Sequence, residues 1–594
     1  MGPVLMSKDK KSSQNRGKRN TDVRSSGAAG LYPSERELII VAKSERELRV
    51  TRKGITSAIG SDVSQLADLL STEGVTMHPL FGMNEERIKL EVSALEGITN
   101  TKMPDMSVYY RVDAPDERLD DLAEKLQHID TIESAYIKPP TEPAEIFLMD
   151  LVPRDEEPPA HTPDFGVRQG YLEAAPGGID ARFAWTQTGG SGSNVRIIDI
   201  EGAWRFSHED LSQNQGGVVG GTQSTDLVWR NHGTAVIGEF GGDRNTFGIT
   251  GTCPDANVRA ISIFGGTGSA GAIRRSADML NAGDIILIEL HRPGPRFNFQ
   301  SRDDQRGYIA IEWWDDDFAA IRYATNKGII TVEAGGNGAE NLDDAIYNNR
   351  PTNFPTTWTN PFNRSNRDSG AIVVGAGAPP PGTHGQNHGP DRSRLDFSNF
   401  GALIDAQGWG LEVTTAGYGD LQGGINEDEW YTDQFGGTSG ASPIVVGALG
   451  CVQGFLRSRG RIPLIPARAR ELLRSTGSPQ QDAVGRPATQ RIGNRPNLRQ
   501  LITVASETRT WTGVQFRGTV AAGQTNRWFT FNWPAHWHVV WTVVPTTPRL
   551  GAPQITWQVR VERASDQYIT YWISITNISS YPVDIEARYA VLGW

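Results

Sequence analysis

Short β-branched runs alternate with helical segments over residues 171–505, and a different alternation precedes them while an aromatic strand pattern follows. Together these predict an α/β protein: a three-layer, doubly wound parallel sheet, with a small α+β unit before it and an all-β sandwich after it. At 594 residues the chain is too long for one core and should hold about three units.

Residues 1–36 are polar and rich in Lys and Arg, and lack the apolar centre of a secretory signal. They read as a disordered basic arm. Without that signal the protein is expected in the cytoplasm, or exported by an unrecognised route. From 37 to 138 come "ELIIVAK", helical "DVSQLADLLSTEG", then "ERIKLEVSAL" and "MSVYYRVDA" as strands, helical "DERLDDLAEKLQHID" and "IESAYIK". Strand, helix, two strands, helix, strand is the split βαβ order of a ferredoxin-like domain. Residues 139–170, Pro-rich and acidic with one apolar patch in "IFLMDL", read as a linker.

In residues 171–505 the runs "NVRIIDI", "NVRAISIF", "DIILIEL", "GIITVEA" and "AIVVGAG" are apolar without interruption, as strands buried on both faces of a parallel sheet are. Residues 506–594 carry "WFTFNW", "HWHVVWTVV" and "YITYWISITN", the alternation of an antiparallel sandwich.

Composition excludes several classes. The net charge of −11 (58 Lys+Arg against 69 Asp+Glu) gives no reason to expect nucleic acid as a partner. Only Cys253 and Cys451 are present, so neither a disulfide scaffold nor a Cys-built metal site is expected, and both read as small buried apolar residues. No apolar run has the length of a membrane span, and the protein is expected to act as a monomer.

Three polar residues stand at strand ends or helix starts of the α/β region: Asp199 after "NVRII", His232 in "NHGTAVIGEFGG" and Ser439 in "GGTSGASP". Each alone has an ordinary explanation as a loop acid, a satisfied histidine and a helix cap. Jointly they match nucleophilic catalysis, in which imidazole takes the serine proton and a carboxylate fixes the imidazole. The serine segment lacks the second glycine of a G-x-S-x-G elbow, which excludes a lipase or esterase, and the chain order Asp, His, Ser is the one found in subtilisin.

"HGTAVIG" and "GTSGASP" resemble the histidine and serine motifs of the subtilisin-like serine proteases. The resemblance spans roughly 178–480. It implies Asn337 in "VEAGGNG" as the oxyanion donor, and substrate-pairing segments at Gly268, Ser269 and Ala270 in "GGTGSAG" and at Glu289 and Leu290 in "IELH", with Gly336 beside them. It also implies a structural calcium ion on Asp210 of "HEDL" and Asn245. The chain departs from the family at Ile200-Glu201-Gly202, at Gly440, at Glu289 where a serine is usual, and at His291 where a glycine is usual. Glu289 could select basic side chains or point away as an edge residue.

The resemblance implies a serine endopeptidase acting on peptides or proteins, with residues 37–138 as an inhibitory propeptide removed by the enzyme itself near residue 165. Its rivals are a non-catalytic relative binding peptides in the cleft and acting through its C-terminal unit, and the acid-acting sedolisin group. The intact triad opposes the first, and His232 and Asn337 oppose the second.

Overall fold

A computed structural model describes residues 36–51, 54–82, 84–99, 102–144, 153–155, 158–507, 511–535, 537–547, 551–565 and 568–592. The basic arm, apart from Arg36, and the "IFLMDL" patch lie outside them.

The N-terminal unit is a four-stranded antiparallel sheet in the order Thr76–Pro79, Tyr109–Asp113, Glu37–Ala42, Ile132–Lys138. That is the order a split βαβ unit gives. Helix Leu119–Gln127 packs on it through Leu119, Leu122, Ala123 and Leu126, at the spacing of one helical face. The segment "ERIKLEVSAL" is not a strand. It lies in helix Glu85–Thr99, because Ile88 and Val92 are buried four residues apart while Leu90 between them is 71% exposed. The apparent alternation of Ile88, Leu90 and Val92 was a helical stripe with one apolar residue on its solvent side.

The central sheet has seven parallel strands in the order Ala406–Trp409, Ile372–Gly377, Ile330–Ala334, Ile285–Ile288, Arg196–Glu201, Asn257–Ser262, Gln215–Gly220. Successive side chains alternate between two cores. Ile197, Ile285, Leu287 and Val332 face helices Leu227–Gly241 and Thr438–Ser458, while Ile198, Ile200, Ile286 and Val373 face helices Gly268–Met279 and Asp315–Asn326. Helix Thr438–Ser458 is long and apolar enough to cross a membrane, yet all its apolar length is buried in the protein. Cys253 and Cys451 are free thiols buried in the first core.

The second core does not stop at the α/β layer. Ile39, Val41, Phe81, Met106, Tyr109 and Tyr136 of the N-terminal unit belong to it. Around this apolar seat runs a polar fringe. Tyr109 donates to Asp315 (2.6 Å), Tyr136 to Asp316 (2.9 Å), and the buried Lys138 ammonium pairs with Asp316 (2.7 Å) and Asp317 (2.8 Å).

The C-terminal region is two packed antiparallel sheets. One orders Trp511–Val520, Val583–Val591 and Val539–Pro545, and in the other Thr525–Phe529, Trp533–Pro534 and Ile555–Arg563 all pair with Tyr568–Asn577. Its core, including Val520, Trp533, Trp541, Ile573 and Ile585, draws only on residues 511–591.

Candidate active site

In an open parallel sheet the functional crevice opens at the carboxyl ends of the strands, where the chain reverses its direction of winding. Here that point is strand Arg196–Glu201: the chain adds two strands on one side of it, then crosses to Ile285–Ile288 on the other. The residues expected to act converge there.

His232 lies in helix Leu227–Gly241, whose first turn is capped by Asp226 accepting from Val228 N–H. Its Nδ1 is 2.6 Å from Glu201 Oε2, and both residues are fully buried. The partner is therefore Glu201, not Asp199. Asp199 sits in mid-strand, paired with Ala260 and Leu287, and accepts from Trp204 Nε1 at 2.6 Å. Side chains two apart in a strand share a face, so both acids point toward the helix layer, and only the one at the strand end reaches the imidazole. Burial, then the neighbouring Glu201, pushes the Asp199 carboxyl well above the usual range. Asp199 is thus a neutral acid hydrogen-bonded to Glu201, since two carboxyls in contact away from water hold at most one charge.

Ser439 is the second residue of helix Thr438–Ser458. The chain enters that helix through Gly437, whose φ of +96° is a conformation L side chains rarely adopt. Asn337, just beyond strand Ile330–Ala334, accepts through Oδ1 from the Thr438 N–H (2.9 Å) and hydroxyl (3.0 Å), and donates one Nδ2 hydrogen to Gln305 (3.2 Å). The amide has a second Nδ2 hydrogen beside the Ser439 helix start. Gly336 is required next to it: φ is +93°, and a Cβ would lie 2.7 Å from the Asn399 amide nitrogen.

Glu289 follows the end of strand Ile285–Ile288 and is completely buried, so it is not a solvated edge residue. Its Oε1 is 2.5 Å from Ser442 Oγ, which is also 2.7 Å from the Thr438 carbonyl. A hydroxyl has one hydrogen and a carbonyl none, so Ser442 donates to Thr438 and Glu289 must donate to Ser442. Glu289 is therefore protonated. Burial accounts for this, pushing its carboxyl well above the usual range, while the Ser442 and Ser439 hydroxyls beside it oppose the shift. The Ser439 hydroxyl is thus a neighbour of Glu289. Glu239, two turns after His232, is likewise pushed well above the usual range by burial and by Glu289.

Leu290 pairs with Pro143, and His291 with Glu142, in a short antiparallel ladder. The segment 139–144, expected as part of a linker, thus lies across the site. The Ser439 N–H donates to the Ala144 carbonyl at 3.0 Å. Gly268, Ser269 and Ala270 do not form an extended edge. They open helix Gly268–Met279, where Ser269 donates to Asp317 (2.5 Å) and accepts from Lys138 (3.0 Å) and Arg292 (2.9 Å).

Asp210 and Asn245 do meet, but as donor and acceptor. Asn245 Nδ2 donates to Asp210 Oδ1 (2.6 Å), and Oδ2 accepts from Ile249 N–H (2.7 Å) and Tyr431 (2.8 Å). Phe247 N–H donates to Asn245 Oδ1, which fixes that amide's orientation. Donor hydrogens thus occupy the carboxylate where a cation would bind, and burial raises Asp210 to about 7. The pair does not fit calcium. Among the described residues no group of three or more His, Cys, Asp or Glu is gathered for a metal.

Sequence reasoning missed Glu201 beside His232, Ala144 beside Ser439, Gln305 beside Asn337, and Glu142 in the ladder. For Glu201 a signal existed: Gly202 ends the strand, leaving Glu201 as its last side chain.

A profile of the subtilase family (Peptidase S8) matches residues 179–500. The alkaline protease of Alkalihalobacillus alcalophilus is 26% identical over 270 residues, covering 44% of this chain and 54% of that protein, so the chain spans about half that relative's length. Thermitase of Thermoactinomyces vulgaris is 27% identical over 315 residues, covering 50% of this chain and 85% of that one. Among solved structures, the PatG macrocyclase in complex with peptide aligns at a TM-score of 0.39 and 16% identity, covering 59% of this chain and 99% of that one. With the seven-stranded parallel sheet and the buried His232 at its carboxyl edge, the match over residues 179–500 places this chain in the subtilase family.

Proposed function

We propose that the protein is a self-inhibited precursor that cuts its own chain between Ala144 and Glu145. One observation carries this reading: the Ala144 carbonyl accepts from the Ser439 N–H at 3.0 Å while Pro143 and Glu142 pair with Leu290 and His291. An oxyanion forming at Ala144 would develop against that donor and the Asn337 amide.

Ser439 Oγ bonds to the Ala144 carbonyl carbon as its proton passes to His232 Nε2. Glu201, bonded to Nδ1, holds the tautomer and the imidazolium charge, and neutral Asp199 supports Glu201 through their shared hydrogen bond. The Ala144–Glu145 C–N bond then breaks, the proton moves to the Glu145 nitrogen, and residues up to 144 remain as an ester on Ser439. Water, deprotonated by His232, releases them. The N-terminal unit, seated on the second core, stays as an inhibitor.

Intact-mass measurement after expression tests this. Wild type should yield a chain beginning at Glu145, and Ser439→Ala should keep the full 64.9 kDa. Wild type that stays uncut yet hydrolyses added peptides would overturn the precursor reading, and peptide turnover by Ser439→Ala would overturn the serine mechanism.

A further inference from the structure

Glu142 is 1% exposed, and among the described residues no cation pairs with it. Its Oε1 accepts from Tyr308 Oη at 2.7 Å, and the polar side chains of Gln305 and Ser301 lie close enough to favour its charged form. The charged group that bears on it is Asp303, which repels it. His291, opposite it in register, is neutral, its imidazole brought down to about 3 by burial and by His232.

The donors are built, not incidental. Tyr308 Oη accepts from Arg302 N–H at 3.0 Å, so its own hydrogen is directed at Glu142. Gln305 is held at a φ of 52°, uncommon for a residue with a side chain. Its amide accepts from Asn337 (3.2 Å) and donates to the Pro143 carbonyl (3.4 Å). Ser301 and Gln305 belong to the segment between strands Leu290–Pro293 and Tyr308–Ala310, which pair as a hairpin, and Tyr308 opens the second strand.

We propose that Tyr308, Gln305 and Ser301 form a substrate subsite that reads the third residue upstream of the cut bond, selecting an uncharged carboxylic acid or a carboxamide. This rests on Ala144 being the residue before the cut. Neutral donors satisfy a carboxamide or a protonated acid fully, whereas an ionised carboxylate buried without a cation loses its hydration uncompensated. Burial accordingly raises Glu142 to about 7. A glutamate is therefore accepted below neutrality and rejected above it, and a glutamine is accepted throughout.

Self-processed enzyme given quenched peptides containing Thr-X-Pro-Ala, with X as Glu, Gln or Ala, at about pH 5.5 and about pH 8.5, provides the test. Gln should exceed Ala by about tenfold in kcat/KM at both pH values, the size of one or two buried hydrogen bonds. Glu should match Gln at the lower pH and fall at least about tenfold behind it at the higher. Tyr308→Phe should shrink the Gln-to-Ala ratio severalfold, and Ser301→Ala should do so if that variant fails to fold. Cleavage after Ala at equal rates for all three peptides overturns the subsite alone. Cleavage at another bond overturns both the subsite and the reading of Ala144.

Discussion

The two sides of the site each place a buried acid behind a reacting side chain, and the acids hold their protons differently. Behind His232, Glu201 faces a ring nitrogen, while its neighbour Asp199 takes up the proton that lets Glu201 keep a charge. Behind Ser439, Glu289 faces Ser442, whose single hydrogen is committed to the Thr438 carbonyl, so Glu289 must be the donor. Burial is complete on both sides. Thus the hydrogen-bond demand of the nearest partner, not burial alone, decides which acid is charged.

This contrast breaks most visibly at Glu201. Glu201→Gln replaces an acceptor with an amide that can present a donor to Nδ1, and should slow appearance of the chain beginning at Glu145 by about 10⁴-fold, the cost of a wrong tautomer. A loss under about tenfold, with a large loss in Asp199→Asn, would reverse the assignment. Glu289→Ala removes the donor to Ser442 and should cost about tenfold in kcat/KM. Glu289→Gln, which can donate as the neutral acid does, should stay within about threefold of wild type at neutral pH.

A raised carboxyl pKa gives stability that is full below the ordinary carboxylate range and lost as pH rises through the folded value. Urea titrations in the Ser439→Ala background should therefore show wild type losing stability as pH rises from the ordinary carboxylate range, and Glu289→Gln losing less. Equal slopes would mean Glu289 is charged. Asp199→Asn should cost less than about tenfold in kcat/KM, because its amide can donate to Glu201 while its oxygen accepts from Trp204. The smallest effect expected is at Asp210: chelator and excess calcium should give melting temperatures within about 1 °C of each other, since a carboxylate already met by donor hydrogens offers a cation little.

His232, Ser439 and Asn337 could be picked out because their neighbours form contiguous motifs, and the parallel sheet was legible because its strands are apolar on both faces. The acid bonded to His232 lies two residues beyond the expected Asp199. Asp199 and Glu201 share a face, so composition cannot separate them, and what does is where the strand ends. Leu90 misled in the same way, making a helix look alternate. The path of residues 139–144 was illegible in principle: a Pro-rich stretch has no pattern of its own, and its extension is imposed by Leu290 and His291 across the ladder. Calcium was inferred from Asp210 and Asn245, but whether their atoms face a cation or each other depends on Ile249 and Tyr431.

The shared core of the N-terminal unit and the central sheet has a consequence in concentration. Before the cut, Ile39, Phe81 and Tyr136 are tethered to their seat, and a covalent tether acts as an effective concentration, in the millimolar range for short links in general. The proposed cut at residue 144 would remove the tether and leave the packing of the N-terminal unit in place. Occupancy would then depend on how much free N-terminal unit surrounds the enzyme. In a confined volume the enzyme would stay blocked by its own fragment, and on dilution it would open without further chemistry. The hydrolysed bond would then work less as a switch than as a change of reaction order, from a unimolecular equilibrium that ignores dilution to a bimolecular one that reports it.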